Sequence, residues 1–165
     1  MGYSFNAGEV FKVAIQIEEN GRKFYEKIQK NIESAEVRAL FADLGLQEVE
    51  HKKKFEALRA QLPPEATTTT VWDPDNELDQ YIKMMADHHV FISGGDINEQ
   101  IGRLRDASDA LKLAIEFEKD TVVFFLSLEE AVAGNKDREL IKSLVNEEMG
   151  HLKRLTLELR KIAGK

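Results

Sequence analysis

Residues 44–55 read LGLQEVEHKKKF, and they hold a glutamate and a histidine three apart, Glu48 and His51. The same spacing returns in SLVNEEMGHLKRL as Glu148 and His151, a shift of 100 residues. Both stretches are rich in helix formers, and three residues of helix bring two side chains onto one face. A carboxylate and an imidazole one turn apart can hold one metal ion between them. The shift extends upstream. Ala14-Ile15-Gln16-Ile17-Glu18, followed by Phe24-Tyr25, returns as Ala114-Ile115-Glu116-Phe117-Glu118, followed by Phe124-Phe125. The chain reads as two copies of one helical hairpin, each giving a lone Glu and a Glu-x-x-His.

Local signals place the helices. Asn6-Ala-Gly-Glu9 has capping-box spacing, and the apolar positions Val10, Phe11, Ala14, Ile15, Ile17, Phe24 and Ile28 recur with helical period to about residue 29. Glu18 lies among them, with Tyr25 two turns on along the same face, while Glu19, Glu26 and Lys27 point to solvent. Ser34 suits the N-cap of a second helix over 35–61. Its inner stripe is Val37, Leu40, Phe41, Leu44, Glu48, His51, Phe55 and Leu58, and Lys52 to Lys54 read as a wet surface. Gly45, a poor helix residue, is either a close-approach position or a tolerated defect. Pro63-Pro64 ends this helix, and hairpin 1 spans about 6–61.

The connector, 62–105, opens with a polar loop over 65–76 and continues into a shorter helix over 76–90. Ser93-Gly94-Gly95-Asp96 is a turn signal, with a minor helical piece over 97–104. His88 and His89 are adjacent, so on a helix they diverge by about 100° and suit surface or packing roles better than one metal ion. Hairpin 2, about 106–163, has helices over 108–133 and 136–162. Their inner stripes are Leu111, Ala114, Ile115, Glu118, Val122, Phe125 and Leu128, then Leu140, Leu144, Glu148, His151, Leu155 and Leu159. Glu147 is set aside as a ligand because it lies off the stripe and off the 100-residue register.

Depth then brings the six residues together. Glu18 and Glu48 flank Glu33, at the first turn, by 15 residues each, and Glu118 and Glu148 flank Ala133 by the same 15. At 1.5 Å per residue, each pair sits about 22 Å from its turn, near mid-helix. Packed hairpins would gather four Glu and two His in one layer, the ligand pattern of di-iron and di-manganese carboxylate bundles. Four buried carboxylates without partners are costly, and two divalent cations would cancel their charge. Oxygen and imidazole donors without thiolate suit iron or manganese better than copper, with zinc also within range.

Composition narrows the class. With 165 residues, 42% apolar and 32% charged, the sequence describes one soluble globular domain over 1–165. A net charge of −7 argues against nucleic acid or anionic membrane as partner. There is no cysteine, so disulfides and thiolate chemistry are excluded. No signal peptide and no membrane-length apolar run is read, and the expected location is the cytoplasm.

At the six ligand positions the sequence resembles the ferritin-like superfamily, and within it the rubrerythrin branch of non-haem di-iron proteins. The resemblance covers both hairpins. The run ENGRKFY from Glu19 is similar to the family's first-helix pattern, in which a Tyr follows the ligand Glu by seven residues, as Tyr25 follows Glu18. The resemblance implies an all-α, ferritin-like four-helix bundle holding two iron ions per chain. Glu48 and Glu148 would bridge, Glu18 and Glu118 would be terminal ligands, and His51 and His151 would each bind one metal. It further implies reduction of hydrogen peroxide or dioxygen, with Tyr25 beside the ligands as a hydrogen-bond or electron donor, or as core packing. Two departures stand out. Thr121 occupies the place of a further family Glu involved in ligand exchange, and there is no four-cysteine rubredoxin domain, so electrons would come from a separate rubredoxin-like protein. A ferroxidase or iron-handling role, a di-iron oxygenase and a helical scaffold with a vestigial site are the other readings. The connector's Tyr81, Met84, Met85, Val90 and Phe91 would serve as an apolar cover or a homodimer interface.

Overall fold

The Ser34 hydroxyl accepts a hydrogen bond from the Val37 backbone N–H at 3.4 Å and starts the second long helix where the cap signal puts it. The computed structural model describes residues 7–67, 77, 80, 97–131 and 135–164. Among them are α1 (Ala7–Ile28), α2 (Ala35–Ala60), α3 (Pro64–Thr67), α4 (Ile97–Gly102), α5 (Ala107–Ala131) and α6 (Asn135–Ala163), with a 3-10 turn over Gln29–Asn31 and no strand. The fold is an all-helical bundle in which α1 pairs with α2 and α5 with α6. The two hairpins meet through α1 against α5 and α2 against α6.

The pairing follows from the stripes. On α2 the buried residues are Val37, Phe41, Leu44, Glu48, His51, Phe55 and Leu58, in alternating steps of four and three. That spacing makes one continuous seam. On α6 the seam runs through Ile141, Leu144, Glu148, His151, Leu155 and Glu158, so Leu140 and Leu159 are only partly buried. Glu158 keeps its place on the seam by reaching Lys161 at 2.8 Å.

Phenylalanines fix the relative direction of the hairpins. Phe55 packs edge-on against Phe125 at 5.2 Å and tilted against Phe11 at 6.2 Å. Phe11 and Phe55 lie on the far side of Glu18 and Glu48 from the α1–α2 connection. Phe125 lies on the near side of Glu118 to the α5–α6 connection. Their contact therefore sets the two connections at opposite ends of the bundle.

The long helices match the sequence expectation to within two residues at each end. The exception in kind is α3, within a stretch read as loop. Pro64 occupies its first position, where a missing N–H costs nothing. α5 begins at Ala107 because the Asp106 carboxylate accepts the Asp109 N–H at 2.9 Å, capping the helix one residue earlier than expected. The expected cap at Asn6, the helix over 76–90 (except Glu77 and Gln80, both helical) with His88, His89 and the apolar connector residues, the turn at 93–96 and the Leu128 side chain lie outside the described residues. No helix among the described residues is long and apolar enough to cross a membrane.

Candidate metal centre

Four helices deliver the six side chains to one layer: Glu18 from α1, Glu48 and His51 from α2, Glu118 from α5, and Glu148 and His151 from α6. All are at most 1% exposed. Ligand atoms of Glu18, Glu48, His51 and Glu148 lie within 4.8 Å of one another, as do those of Glu48, Glu118, Glu148 and His151. Glu48 and Glu148 belong to both groups. His51 Nδ1 is 2.6 Å from Glu148 Oε1 and 3.5 Å from Glu18 Oε2. His151 Nδ1 is 2.9 Å from Glu148 Oε2, 3.2 Å from Glu118 Oε1 and 3.5 Å from Glu48 Oε1. The two imidazoles stack at 5.4 Å, 11° from parallel.

Apart from the hydrogen bond between His151 Nδ1 and Glu118 Oε1, few of these atoms satisfy each other. Both oxygens of Glu18, both of Glu148, Glu48 Oε1, Glu118 Oε2 and His51 Nδ1 are buried with no hydrogen-bond partner. Even at 2.6 Å, His51 Nδ1 and Glu148 Oε1 do not line up as donor and acceptor. Buried polar atoms are almost always paired, so orphans concentrated in one layer mark a place where cations fit. Electrostatics agree. Burial, reinforced by the Glu148 charge, pushes Glu18, Glu48 and Glu118 well above the usual carboxylate range. Burial also opposes ionisation of Glu148, but contact with His151 and His51 outweighs it and holds this carboxyl at about 2. Both imidazoles are raised despite burial, His51 chiefly by Glu148 and His151 by Glu118 and Glu148. Without a cation the layer retains protons, and the oxygen and nitrogen donor set suits two divalent ions in their place.

Beyond this layer, the Tyr25 hydroxyl donates to Glu118 Oε1. The tyrosine is fully buried against Phe24, Phe41 and Phe117. Gly45 is a close-approach position, since a Cβ there would stand 3.2 Å from Tyr25 Cβ. Gly21, which the ENGRKFY run contains without marking its role, is a second such position, where a Cβ would stand 3.0 Å from Glu48 Oε2 and 3.2 Å from the Phe117 ring. Thr121 is buried, with its hydroxyl donated to the Phe117 carbonyl at 3.2 Å.

Glu147 belongs to neither metal-sized group, yet it accepts from His51 Nε2 at 2.9 Å and from Lys54 Nζ at 2.7 Å. On the other side, His151 Nε2 donates to Gln47 Oε1 at 3.0 Å, Gln47 Nε2 donates to Asp43 at 2.9 Å, and Asp43 accepts from Arg154 at 2.6 Å. Gln47 and Glu147 occupy equivalent positions of the repeat, as do Lys54 and Arg154. The residue types differ, but each of the first pair reaches the histidine of the other hairpin, and that equivalence of position is the signal that would have found Glu147.

A family model described as Rubrerythrin matches residues 9–159. Comparison with curated protein sequences gives no significant match. Among solved structures, the fold is similar to a crystal structure from Thermotoga maritima assigned as a ferritin-like diiron-carboxylate protein. The TM-score is 0.72 at 20% identity, over 97% of this chain and 98% of that one.

Proposed function

This chain belongs to the rubrerythrin family, and we propose that it is a di-iron redox enzyme reducing hydrogen peroxide or dioxygen with electrons from an external rubredoxin-like donor. The observation that carries this reading is the layer of unpartnered Glu and His atoms with two carboxylates common to both metal-sized groups. Glu48 and Glu148 would bridge two iron ions, or two manganese ions. Glu18 and His51 would complete one position, and Glu118 and His151 the other. Two ferrous ions held there would supply the two electrons that cleave the O–O bond of peroxide or reduce dioxygen to the peroxide level, and the external donor would restore them. The chain's own groups do the rest. The aromatic shell of Phe24, Phe41, Phe55 and Phe125 keeps bulk water from the layer, and Tyr25 holds a proton against Glu118. Both hairpins supply ligands to both positions through the bridging pair, so the reading makes 1–165 one functional domain.

A second reading, a ferroxidase, is favoured by Thr121. Its hydroxyl is committed to the Phe117 carbonyl, and it brings no carboxylate for the exchange that family resemblance associates with peroxide reduction. One experiment separates the two. Metal-free protein is titrated anaerobically with Fe(II), then mixed rapidly with peroxide or, separately, with air. Binding that breaks at two ions per chain with faster oxidation by peroxide is the expected result. Faster oxidation by dioxygen selects the ferroxidase, and absence of stoichiometric binding overturns both readings.

A further inference from the structure

The two halves repeat their inner ligands and differ in what touches those ligands from outside. His51 Nε2 meets the carboxylate of Glu147, itself paired with Lys54, at 2.9 and 2.7 Å. His151 Nε2 meets the neutral carbonyl of Gln47 at 3.0 Å. The amide of Gln47 is fixed in that orientation because its nitrogen donates to Asp43. A carboxylate acceptor draws the Nε2 proton more strongly than an amide, which makes Nδ1 of His51 the stronger electron-pair donor to a cation. The lone glutamates differ in the same sense. Glu118 accepts the Tyr25 hydroxyl, whereas both oxygens of Glu18 have no hydrogen-bond partner and the register puts Phe125, without a hydroxyl, at Tyr25's place. A carboxylate sharing its charge with a phenol is the poorer donor to a cation.

We infer that the two metal positions are unequal, with the Glu18/His51 position binding first and more tightly and the Glu118/His151 position second and more weakly, and that Glu147 and Gln47 are the positioning residues that set this order. The inference rests on the two-metal reading above.

The probe is Co(II), titrated into the metal-free chain by calorimetry, with the visible d–d absorption followed in parallel. The expected result is two successive affinities separated by about tenfold or more. Glu18→Ala should abolish the tighter step and Glu118→Ala the weaker. Glu147→Gln should weaken the tighter step by about tenfold while sparing the weaker one. Gln47→Glu, combined with Asp43→Asn so that the exchanged side chain still meets a donor at position 43, should strengthen the weaker step. A purely structural role would lower both steps together, so such a result overturns the assignment, as do two indistinguishable steps in the wild-type chain. Absence of Co(II) and Fe(II) binding in the wild type would instead remove the two-metal reading itself.

Discussion

Hairpin 1 and hairpin 2 carry the same residue at the three inner positions, Glu18 and Glu118, Glu48 and Glu148, His51 and His151. Around that layer the halves part: Gly21 faces Thr121, Tyr25 faces Phe125, and Gln47 faces Glu147 across the repeat. Two adjacent cations between antiparallel hairpins need similar donors from each side, so the inner layer has little freedom. Contacts one step further out govern how strongly each donor binds, and nothing requires them to match. Identity inside and difference outside fit the proposed pair of metal positions, two similar cages with two different settings.

The largest test of the shared layer compares bridging with terminal carboxylates. If Glu48 and Glu148 serve both positions, Glu48→Ala and Glu148→Ala should each leave the reconstituted chain with close to no retained metal. Glu18→Ala and Glu118→Ala should each retain about one ion, as read by metal analysis after desalting. A Glu48→Ala chain that keeps one tightly held ion would show that the halves load independently.

Next in size is the dependence of stability on pH. Glu18, Glu48 and Glu118 have raised values in the metal-free fold, from burial and then the Glu148 charge. The contribution of each is complete below the ordinary 4.5 and is lost as pH rises through the folded value. His51 and His151, also raised, act in the same direction above 6.5. Glu148, held at about 2, works the other way, its contribution being lost only as pH falls from 4.5 toward that value. The metal-free chain should therefore lose stability from about pH 5 upward, by at most about 1.4 kcal/mol per pH unit for each carboxylate involved. Tyr25 is raised by burial and Glu118 and stays protonated over this range, while Glu147, lowered by Lys54 and His51 against burial, stays ionised. Urea unfolding at pH 5.5 and pH 8 should show the gap between Co(II)-loaded and metal-free protein widening with pH. A constant gap would mean that the layer holds no such protons.

Smaller still is the contrast between two helical glycines. Gly21→Ala would put a Cβ 3.0 Å from Glu48 Oε2 and 3.2 Å from Phe117, whereas at Gly150 nothing lies within 4 Å. Overpacking should destabilise the first variant by about 1–3 kcal/mol. The second should gain up to about 1 kcal/mol from helix propensity. Denaturant midpoints decide, and a neutral Gly21→Ala would show that Glu48 can yield.

The reach and limit of sequence reading follow from the same geometry. Ligands on an apolar seam announce themselves, because a glutamate between Leu44 and Phe55 or between Leu144 and Leu155 breaks a period that a reader is already following. Equal depth from the turns then supplies the tertiary contact. The supporting contacts come from helix flanks, where period predicts only solvent. Glu147 is 39% exposed, yet its side chain crosses from α6 to His51 on α2. Lys54, read within a wet charge run, anchors it. Glu19, expected to be solvated, is only 20% exposed and pairs with Arg22 and Lys52, contacts that together hold it at about 2. Periodicity locates a face, but a long side chain at the rim can serve the neighbouring helix, and only the repeat register would have revealed it.

The smallest expected effect comes from making the halves alike at one atom. Tyr25→Phe removes the hydroxyl that Glu118 accepts and leaves the ring among Phe24, Phe41 and Phe117, where its packing is unchanged. In the metal-free chain the loss of one buried hydrogen bond should cost about 1 kcal/mol, since Glu118 Oε1 keeps His151 Nδ1 at 3.2 Å. In the loaded chain the sign reverses for binding. Glu118, no longer sharing its charge, should hold its cation somewhat better, by less than about tenfold, while the tighter step stays where it was. Calorimetric Co(II) titration of this variant beside Glu147→Gln ranks the two contributions. If Tyr25→Phe leaves both affinities in place, the phenol is packing with a satisfied hydroxyl, and the inequality of the two positions rests on Gln47 and Glu147 alone.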